Sequence, residues 1–309
     1  MGEIPMDSRP DLYAHVRSFL EFLESGKNYS SHTIESYNAD LLRFAEFAAG
    51  NNARYPEAIS KDHLRSFIAH LFDQGYSRKS IARKIASLRS LFKYLKRKHL
   101  VESNPAANLA TPKLDRKLPA FLDETSMQHI LDLPDRSTTE GMRDAAVLEI
   151  FYSTGIRLSE LINLNVDDID HQGEVIKVTG KGRKQRIVPV GRKALKAVDE
   201  YLESEDRLSG AVARNARNRA VFLARNGKRI YPQMVGSIVK KYISKVSELE
   251  KISPHLLRHT FATHLLNRGA DLKAVKDLLG HESLSTTQIY THVTTERLRK
   301  VYHQSHPKA

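Results

Sequence analysis

Residues 175–190 read Val175-Ile176-Lys177-Val178-Thr179-Gly180-Lys181-Gly182-Arg183-Lys184-Gln185-Arg186-Ile187-Val188-Pro189-Val190. Two β-rich runs, 175–179 and 186–190, flank a basic, glycine-bearing stretch, which is the pattern of two strands joined by a hairpin turn. This hairpin decides the fold class, because almost everything around it has helical spacing. Ala145 to Tyr152 is an apolar helix that Ser153-Thr154-Gly155 ends. Ala220-Val221-Phe222-Leu223 reads as a third short strand. From Tyr231 the pattern is helical almost to the end, interrupted at Ser253-Pro254, Gly269, Gly280 and Ser283. The expectation is a mainly α chain with a small β-sheet, that sheet lying in an α+β C-terminal domain.

Toward the N terminus the helical pattern stands alone. Leu12, Val16, Phe19, Leu20 and Leu23 recur at helical spacing up to Gly26. Ser30 or Ser31 caps a second helix that carries Ile34, Tyr37, Leu41, Leu42, Phe44 and Phe47 and stops at Gly50. A third spans about Ser60 to Gln74, with Leu64, Phe67, Ile68 and Leu71 inward. The fourth starts near Ser77 and holds Ile81, Ile85, Leu88, Phe92 and Leu95. Short breaks between them suit a compact bundle. Asn104-Pro105, Pro112 and Pro119 then break helices. The expected organisation is a helical domain over 1–105, a linker over 106–120, and a second domain over 121–309 whose first helix is N-capped by Asp123.

Composition narrows the chemistry. The 309 residues are 40% hydrophobic and 28% charged, with no cysteine and no tryptophan. Absence of cysteine excludes disulfides, thiolate zinc sites, iron–sulfur clusters and a cysteine nucleophile. No window approaches ~18 consecutive apolar residues, so no transmembrane helix is expected. Met1 to Asp7 lacks a basic and an apolar region, so no secretory leader and a cytoplasmic location are expected. Lys and Arg total 49 against 36 Asp and Glu, a net charge of +13. The excess is present in both parts: 16 basic against 12 acidic residues in 1–112, and 33 against 24 in the remainder. A basic surface of this kind is either merely solvated or meets a polyanion, nucleic acid being the usual one.

The fourth helix concentrates that charge. Residues 78–98 contain nine basic residues and no acidic one. At ~100° per residue, Arg78, Lys79, Arg83, Arg89, Lys93, Lys96 and Arg97 fall on the arc beside the apolar one. Solvated faces usually mix signs; an unmixed cationic face suits a phosphate backbone.

Four motifs carry candidate chemistry. The Gly180–Lys184 turn has neither the spacer nor the Ser or Thr of a Walker A loop, and it precedes a strand, so triphosphate binding is not expected. His255 and His259 have the i, i+4 spacing of a helical zinc pair, but Leu256 stands where such motifs carry Glu, and no metal is expected. His255-Leu256-Leu257-Arg258 follows Pro254 and sets a histidine and an arginine on one face of a helix's first turn, a place that favours anions. Leu279-Gly280-His281 is followed by Thr287-Gln288-Ile289-Tyr290-Thr291-His292.

Together and in order, these blocks resemble the tyrosine recombinases, the integrase family of site-specific DNA recombinases. Thr154-Gly155-Ile156-Arg157-Leu158-Ser159-Glu160-Leu161 resembles the family's first arginine box, and Gly180-Lys181-Gly182 its β-hairpin lysine block. His255 to His264 resembles the HxxR box. Leu278 to His281 with Thr286 to Val293 resembles the final box. The similarity covers essentially the whole chain and is greatest to the bacterial Xer recombinases, which resolve chromosome dimers. Thr295-Glu296-Arg297-Leu298-Arg299 and the ending His306-Pro307-Lys308-Ala309 resemble the XerD branch, and Gly227-Lys228-Arg229-Ile230 the XerC branch.

The resemblance implies a helical, SAM-like DNA-binding domain followed by a catalytic domain, the two forming a C-shaped clamp on DNA. It implies Arg157 and Arg258 as the clamp on the scissile phosphate and Lys181 as general acid. His255 and His281 would contact the phosphate and assist proton transfer, with Tyr290 as nucleophile. The product would be a 3′-phosphotyrosine, with no ATP, metal or other cofactor. The implied partners are a double-stranded recombination site and further copies, or a paralogous recombinase, in a tetramer on two sites; a DNA translocase is left open. A phage or integron integrase is the alternative within the family. Outside it stand a non-catalytic DNA-binding protein, for which all six positions would be dispensable, and a type IB topoisomerase. The segment after Tyr290, with Val293, Leu298, Val301 and Tyr302 near one side, reads as a short amphipathic helix that needs a surface to pack on; its own domain is one, and the resemblance favours a neighbouring subunit.

Overall fold

A computed structural model of the chain describes residues 10–27, 29, 31–113, 120–180, 184–204, 219–280 and 292–308. It divides into two compact units, Met1–Lys117 and Leu118–Ala309.

The first unit is helical among its described residues: α1 (Leu12–Lys27), α2 (Ser31–Gly50), α3 (Lys61–Asp73) and α4 (Arg78–Arg97). Helix starts follow capping chemistry. Ser60 accepts from the backbone N–H of His63 at 3.3 Å, and Ser77 from that of Ser80 at 3.2 Å. The apolar stripes interlock in one core, with Leu12, Val16 and Phe19 from α1, Phe44 from α2, Phe67 from α3 and Ile85, Leu88 and Phe92 from α4. Ala106 and Leu109, placed in the linker by the surrounding prolines, are buried in this core. Proline stops a helix without preventing the next apolar side chains from packing, so the unit's packing continues beyond residue 105.

Helix α4 is also less uniformly solvated than its charge run implies. Lys84 is buried, its ammonium 2.7 Å from Asp40 of α2, which also accepts from Ser87 Oγ at 3.1 Å and from Arg83.

In the second unit, α5 (Glu124–Asp132) is capped by Asp123, which accepts from Ser126 N–H at 2.8 Å. Helix α6 (Thr139–Thr154) is buried on nearly every side, its charged Arg143, Asp144 and Glu149 included. After α7 (Leu158–Asn163) come strands β1 (Ile169–Asp170), β2 (Val175–Thr179) and β3 (Gln185–Pro189). The sheet they form is antiparallel in the order β1-β2-β3, with Ile169 opposite Ile176 and Val178 opposite Arg186. Gly180 N–H donates to Lys184 O at 2.8 Å, so the hairpin read from the sequence is present.

The third strand differs from expectation. Ala220 to Leu223 is buried but pairs through isolated bridges, Asn165 with Ala220 and Leu223 with Arg229. Its N–H and C=O groups are shared between the stretch after α7 and the stretch at 229–230, so no ladder develops. Ile169–Asp170 takes the edge of the sheet instead; it lies in a carboxylate-rich run with little strand propensity.

Helices α8 (Arg192–Leu202), α9 (Pro232–Ile243), α10 (Pro254–Asn267), α11 (Leu272–Leu279) and α12 (His292–Ser305) complete the described part. Helices α5, α7, α8, α9 and α10 pack around α6.

The C-terminal segment docks on its own unit in this structure. Leu298 and Tyr302 join Phe261, Leu265 and Leu278 in a core, and the Tyr302 hydroxyl lies 2.7 Å from Ser153 Oγ. Beyond α12, His306 stacks on Tyr302 with ring centroids 4.8 Å apart. Its Nε2–H donates to Tyr152 O at 3.0 Å, and its Nδ1 accepts from Lys308 N–H at 3.0 Å. Lys308 Nζ reaches the buried Glu149 at 2.9 Å. These polar anchors have no helical period, so the amphipathic pattern of α12 alone does not reveal them.

His306 makes the docking pH-dependent. Burial, with the charges of His264, Arg268 and Lys308, pushes its imidazole from 6.5 down to about 3 against the pull of the Tyr152 carbonyl. Below pH 6.5 the unfolded chain takes up a proton that the folded chain refuses, so stability falls as pH drops from 6.5 toward 3. Urea unfolding at about pH 7 and about pH 5 should show the wild-type chain losing about 2 kcal/mol more than His306→Asn. Equal losses would mean that the ring is not held neutral.

Candidate active site

The site begins where α6 ends. Gly155 takes the left-handed backbone with φ 59°, and a Cβ built there would lie 2.3 Å from Phe261 Cδ1. Only glycine meets both demands. The turn makes Arg157 the N-cap of α7, with Glu160 at the third position of the helix reaching back to it. Arg157 N–H donates to Glu160 Oε2 at 2.8 Å and Arg157 Nη1 to Oε1 at 3.0 Å. Its Nη2 donates to Gly280 O at 2.6 Å.

Arg258 comes from α10, whose first turn starts at Pro254. It is buried, and donates from Nη1 to Gly155 O at 2.5 Å and from Nη2 to Leu279 O at 2.6 Å. Burial and then the charge of Arg157 push its guanidinium down to about 10, still cationic near neutral pH. The carbonyls that end α6 and α11 thus hold two arginines from distant parts of the chain beside one another. His255, one turn before Arg258, is exposed.

Two further residues complete the described site, and neither stands out from sequence motifs alone. Glu160 is buried, and Arg186 of β3 grips both its oxygens, Nη1 to Oε1 at 2.5 Å and Nη2 to Oε2 at 2.9 Å. Burial pushes the Glu160 carboxyl up, but hydrogen bonds from Arg186 and Arg157 and their two charges outweigh it and leave it below the usual range. Both residues leave readable traces. Glu160 stands three positions after Arg157, the spacing of a capping box. Arg186 occupies an inward position of an alternating strand, where an apolar residue is expected.

Lys181, His281 and Tyr290 lie outside the described residues. The described residues just before Lys181 and His281 lie at the cluster formed by Glu160, Arg157 and Arg186. The Cβ position at Gly180 is 3.4 Å from Glu160 Oε1. Gly280, left-handed with φ 64°, offers its carbonyl to Arg157.

Other histidines have structural roles. His264 is buried; its Nε2–H donates to Leu122 O at 2.7 Å, and its Nδ1 accepts from the Tyr152 hydroxyl at 2.8 Å. Burial holds its pKa below the ordinary value. Among the described residues, no group of three or more His, Cys, Asp or Glu is arranged to hold a metal, the His255–His259 pair included.

On α4, Arg78, Lys79, Lys93 and Lys96 are exposed. Arg83 pairs with Asp40, and Arg97 lies over the Phe22 ring at 4.4 Å. Arg89 is partly buried and donates to Ala106 O at 3.3 Å and to Leu109 O. That arginine ties the 106–109 stretch to α4, an internal role the charge pattern does not reveal.

Comparison with known proteins identifies the family. The phage integrase family model matches residues 120–297, and the phage integrase N-terminal SAM-like domain matches residues 16–99. The chain belongs to the phage integrase family. A protein named tyrosine recombinase XerC from Pelotomaculum thermopropionicum is 43% identical over 304 residues, 96% of this chain and 99% of that one. One of the same name from Oceanobacillus iheyensis is 42% identical over 298 residues, 96% and 97% of the two chains. The crystal structure of XerH site-specific recombinase bound to palindromic difH substrate, a post-cleavage complex, shares the fold. Its TM-score is 0.70 at 24% identity, covering 92% of this chain and 83% of that one. No helix among the described residues is long and apolar enough to cross a membrane.

Gly155 sets the arginines, so its replacement should be severe. Gly155→Ala incurs the left-handed penalty of roughly 1 kcal/mol and a clash with Phe261. The expected loss in urea unfolding exceeds that penalty, and Gly155→Ala with Phe261→Leu should recover part of it. A loss confined to the backbone penalty would mean that Phe261 has room to move.

Proposed function

We propose that this chain is a site-specific DNA recombinase that breaks and rejoins duplex DNA through Tyr290. The observation that carries the reading is the charge at the site. Arg157 and Arg186 share the Glu160 carboxylate, and Arg258, bonded only to carbonyls among the described residues, lies within the field of all three. The uncompensated guanidiniums form an anion site, and guanidinium matches a phosphodiester's paired oxygens. The four motif blocks and relatives named tyrosine recombinase support assigning that anion to the scissile phosphate of DNA.

In this reading the Tyr290 oxygen attacks phosphorus and the bond from phosphorus to the 5′ oxygen breaks. A phenol, with a reference pKa of about 10, is a weak nucleophile until nearby cations favour its phenolate. Arg157 and Arg258 hold the non-bridging oxygens as charge develops on them. His255 and His281 contact the phosphate and assist movement of the tyrosine proton. Lys181 gives a proton to the departing 5′ oxygen, without which it leaves poorly. The 3′-phosphotyrosine retains the bond energy, and a 5′-hydroxyl from the partner strand reverses the step. No ATP, metal or other cofactor is required for this sequence of steps.

The wider role proposed is resolution of chromosome dimers in the cytoplasm at cell division. The chain would act in a tetramer on two sites, with further copies or a paralogous recombinase. Activation by a DNA translocase is compatible with that role.

Two tests follow from the assignment. Tyr290→Phe should abolish the covalent band on nicked suicide substrates carrying dimer-resolution sites while leaving DNA binding nearly intact. A band that persists would overturn the nucleophile. For the helical unit, Lys79, Lys93 and Lys96 changed together to Ala should lower the log–log salt slope of DNA binding by about 0.9 for each phosphate no longer neutralised. Arg89→Ala should chiefly lower stability, since it releases the 106–109 stretch. An unchanged slope in the triple variant would leave this face merely solvated.

A further inference from the structure

Arg186 lies at the meeting point of three motifs without belonging to any of them. It is 8% exposed on the inward face of β3, opposite Val178. Its terminal nitrogens take both oxygens of Glu160, and each of those oxygens also accepts one bond from Arg157. A Cβ at Gly280 would lie 2.9 Å from Arg186 Nε and 3.0 Å from its Cζ, so the left-handed turn before His281 rests on the guanidinium. The Cβ position at Gly180, the residue before Lys181, is 4.0 Å from Arg186 Nη1. Nε of Arg186 has no hydrogen-bond partner among the described residues.

The charge arrangement gives this packing a purpose. A buried carboxylate needs full pairing. With Arg186 on both oxygens, Glu160 can orient Arg157 through the backbone N–H and one guanidinium nitrogen. Without Arg186, Arg157 would be the cation left on Glu160 and would turn toward it, away from an incoming anion. A lysine at 186 would supply charge but not the planar fork that fixes both oxygens.

We propose that Arg186 is a positioning residue for strand cleavage: by holding Glu160 it presents Arg157 to the phosphate. This inference rests on the recombinase reading given above.

The test uses the full chain and nicked suicide DNA in single turnover, with cleavage rate recorded against protein concentration. Arg186→Lys should keep the half-saturating concentration within about threefold while the rate at saturation falls by roughly 10- to 100-fold, the scale expected when reacting groups are displaced by about 1 Å. A saturated rate equal to that of the wild-type chain would overturn the proposal. If Arg186→Lys does not fold, the apolar pair Glu160→Met with Arg186→Met decides, because replacing both buried charges restores packing without restoring the hold on Arg157. A folded, DNA-binding double variant that remains slow supports positioning; one that cleaves at the wild-type rate shows that Arg186 serves folding alone and overturns it. The recombinase reading fails differently: the wild-type chain itself would then form no Tyr290-dependent adduct, and the inference would fall with it.

Discussion

Removing a carboxylate from water costs several kcal/mol unless cations close on it with good geometry. The catalytic unit is organised around that demand at Glu160. The residue sits in the first turn of α7, where its backward reach to Arg157 defines the helix start. Its remaining bonds are made by a strand that is otherwise apolar on that side. The ion pair therefore fixes how α7 lies against the sheet, and with it the direction in which Arg157 leaves the backbone. The hairpin and the end of α11 approach the same point through Gly180 and Gly280, and at Gly280 the missing side chain makes room for the Arg186 guanidinium.

Backbone carbonyls supply the other half of the site. Gly155, Leu279 and Gly280 offer oxygens at helix ends, where no partner exists inside the helix. Arg157 and Arg258 satisfy them. The bonds serve two purposes: they complete the helix ends, and they hold guanidiniums side by side that would otherwise repel one another. A neutral acceptor keeps each arginine in place without cancelling its charge, as a carboxylate would.

Most of the fold is legible in residue spacing. The helical stripes of the first unit, the Ser60, Ser77 and Asp123 caps, the Gly155 and Gly280 stops and the hairpin all rest on local chemistry, which a sequence carries in full. What escapes depends on partners far along the chain. Ile169–Asp170 becomes a strand only because β2 offers an edge. Ala220 to Leu223 is apolar enough for a strand, yet its neighbours give it single bridges. Arg89 reads as part of a cationic face suited to phosphates, but the carbonyls of Ala106 and Leu109 turn it inward, as Asp40 does the neighbouring Lys84. In the site, Arg157, His255 and Arg258 are visible through their motifs. Arg186 is visible only as a cation out of phase with its strand, a signal that gains meaning once Glu160 is found opposite.

The chain is firmly attached on both sides of residues 281–291. On one side Leu279 and Gly280 are bonded to Arg258 and Arg157; on the other, Tyr302 meets Ser153 and His306 reaches Tyr152. The second attachment lands on α6, where Ser153, Tyr152 and Glu149 receive it just before the Gly155 stop that places Arg157. One helix thus carries both the end of the chain and the turn from which Arg157 departs, so a load applied at His306 or Lys308 is borne by the same backbone that aims the guanidinium.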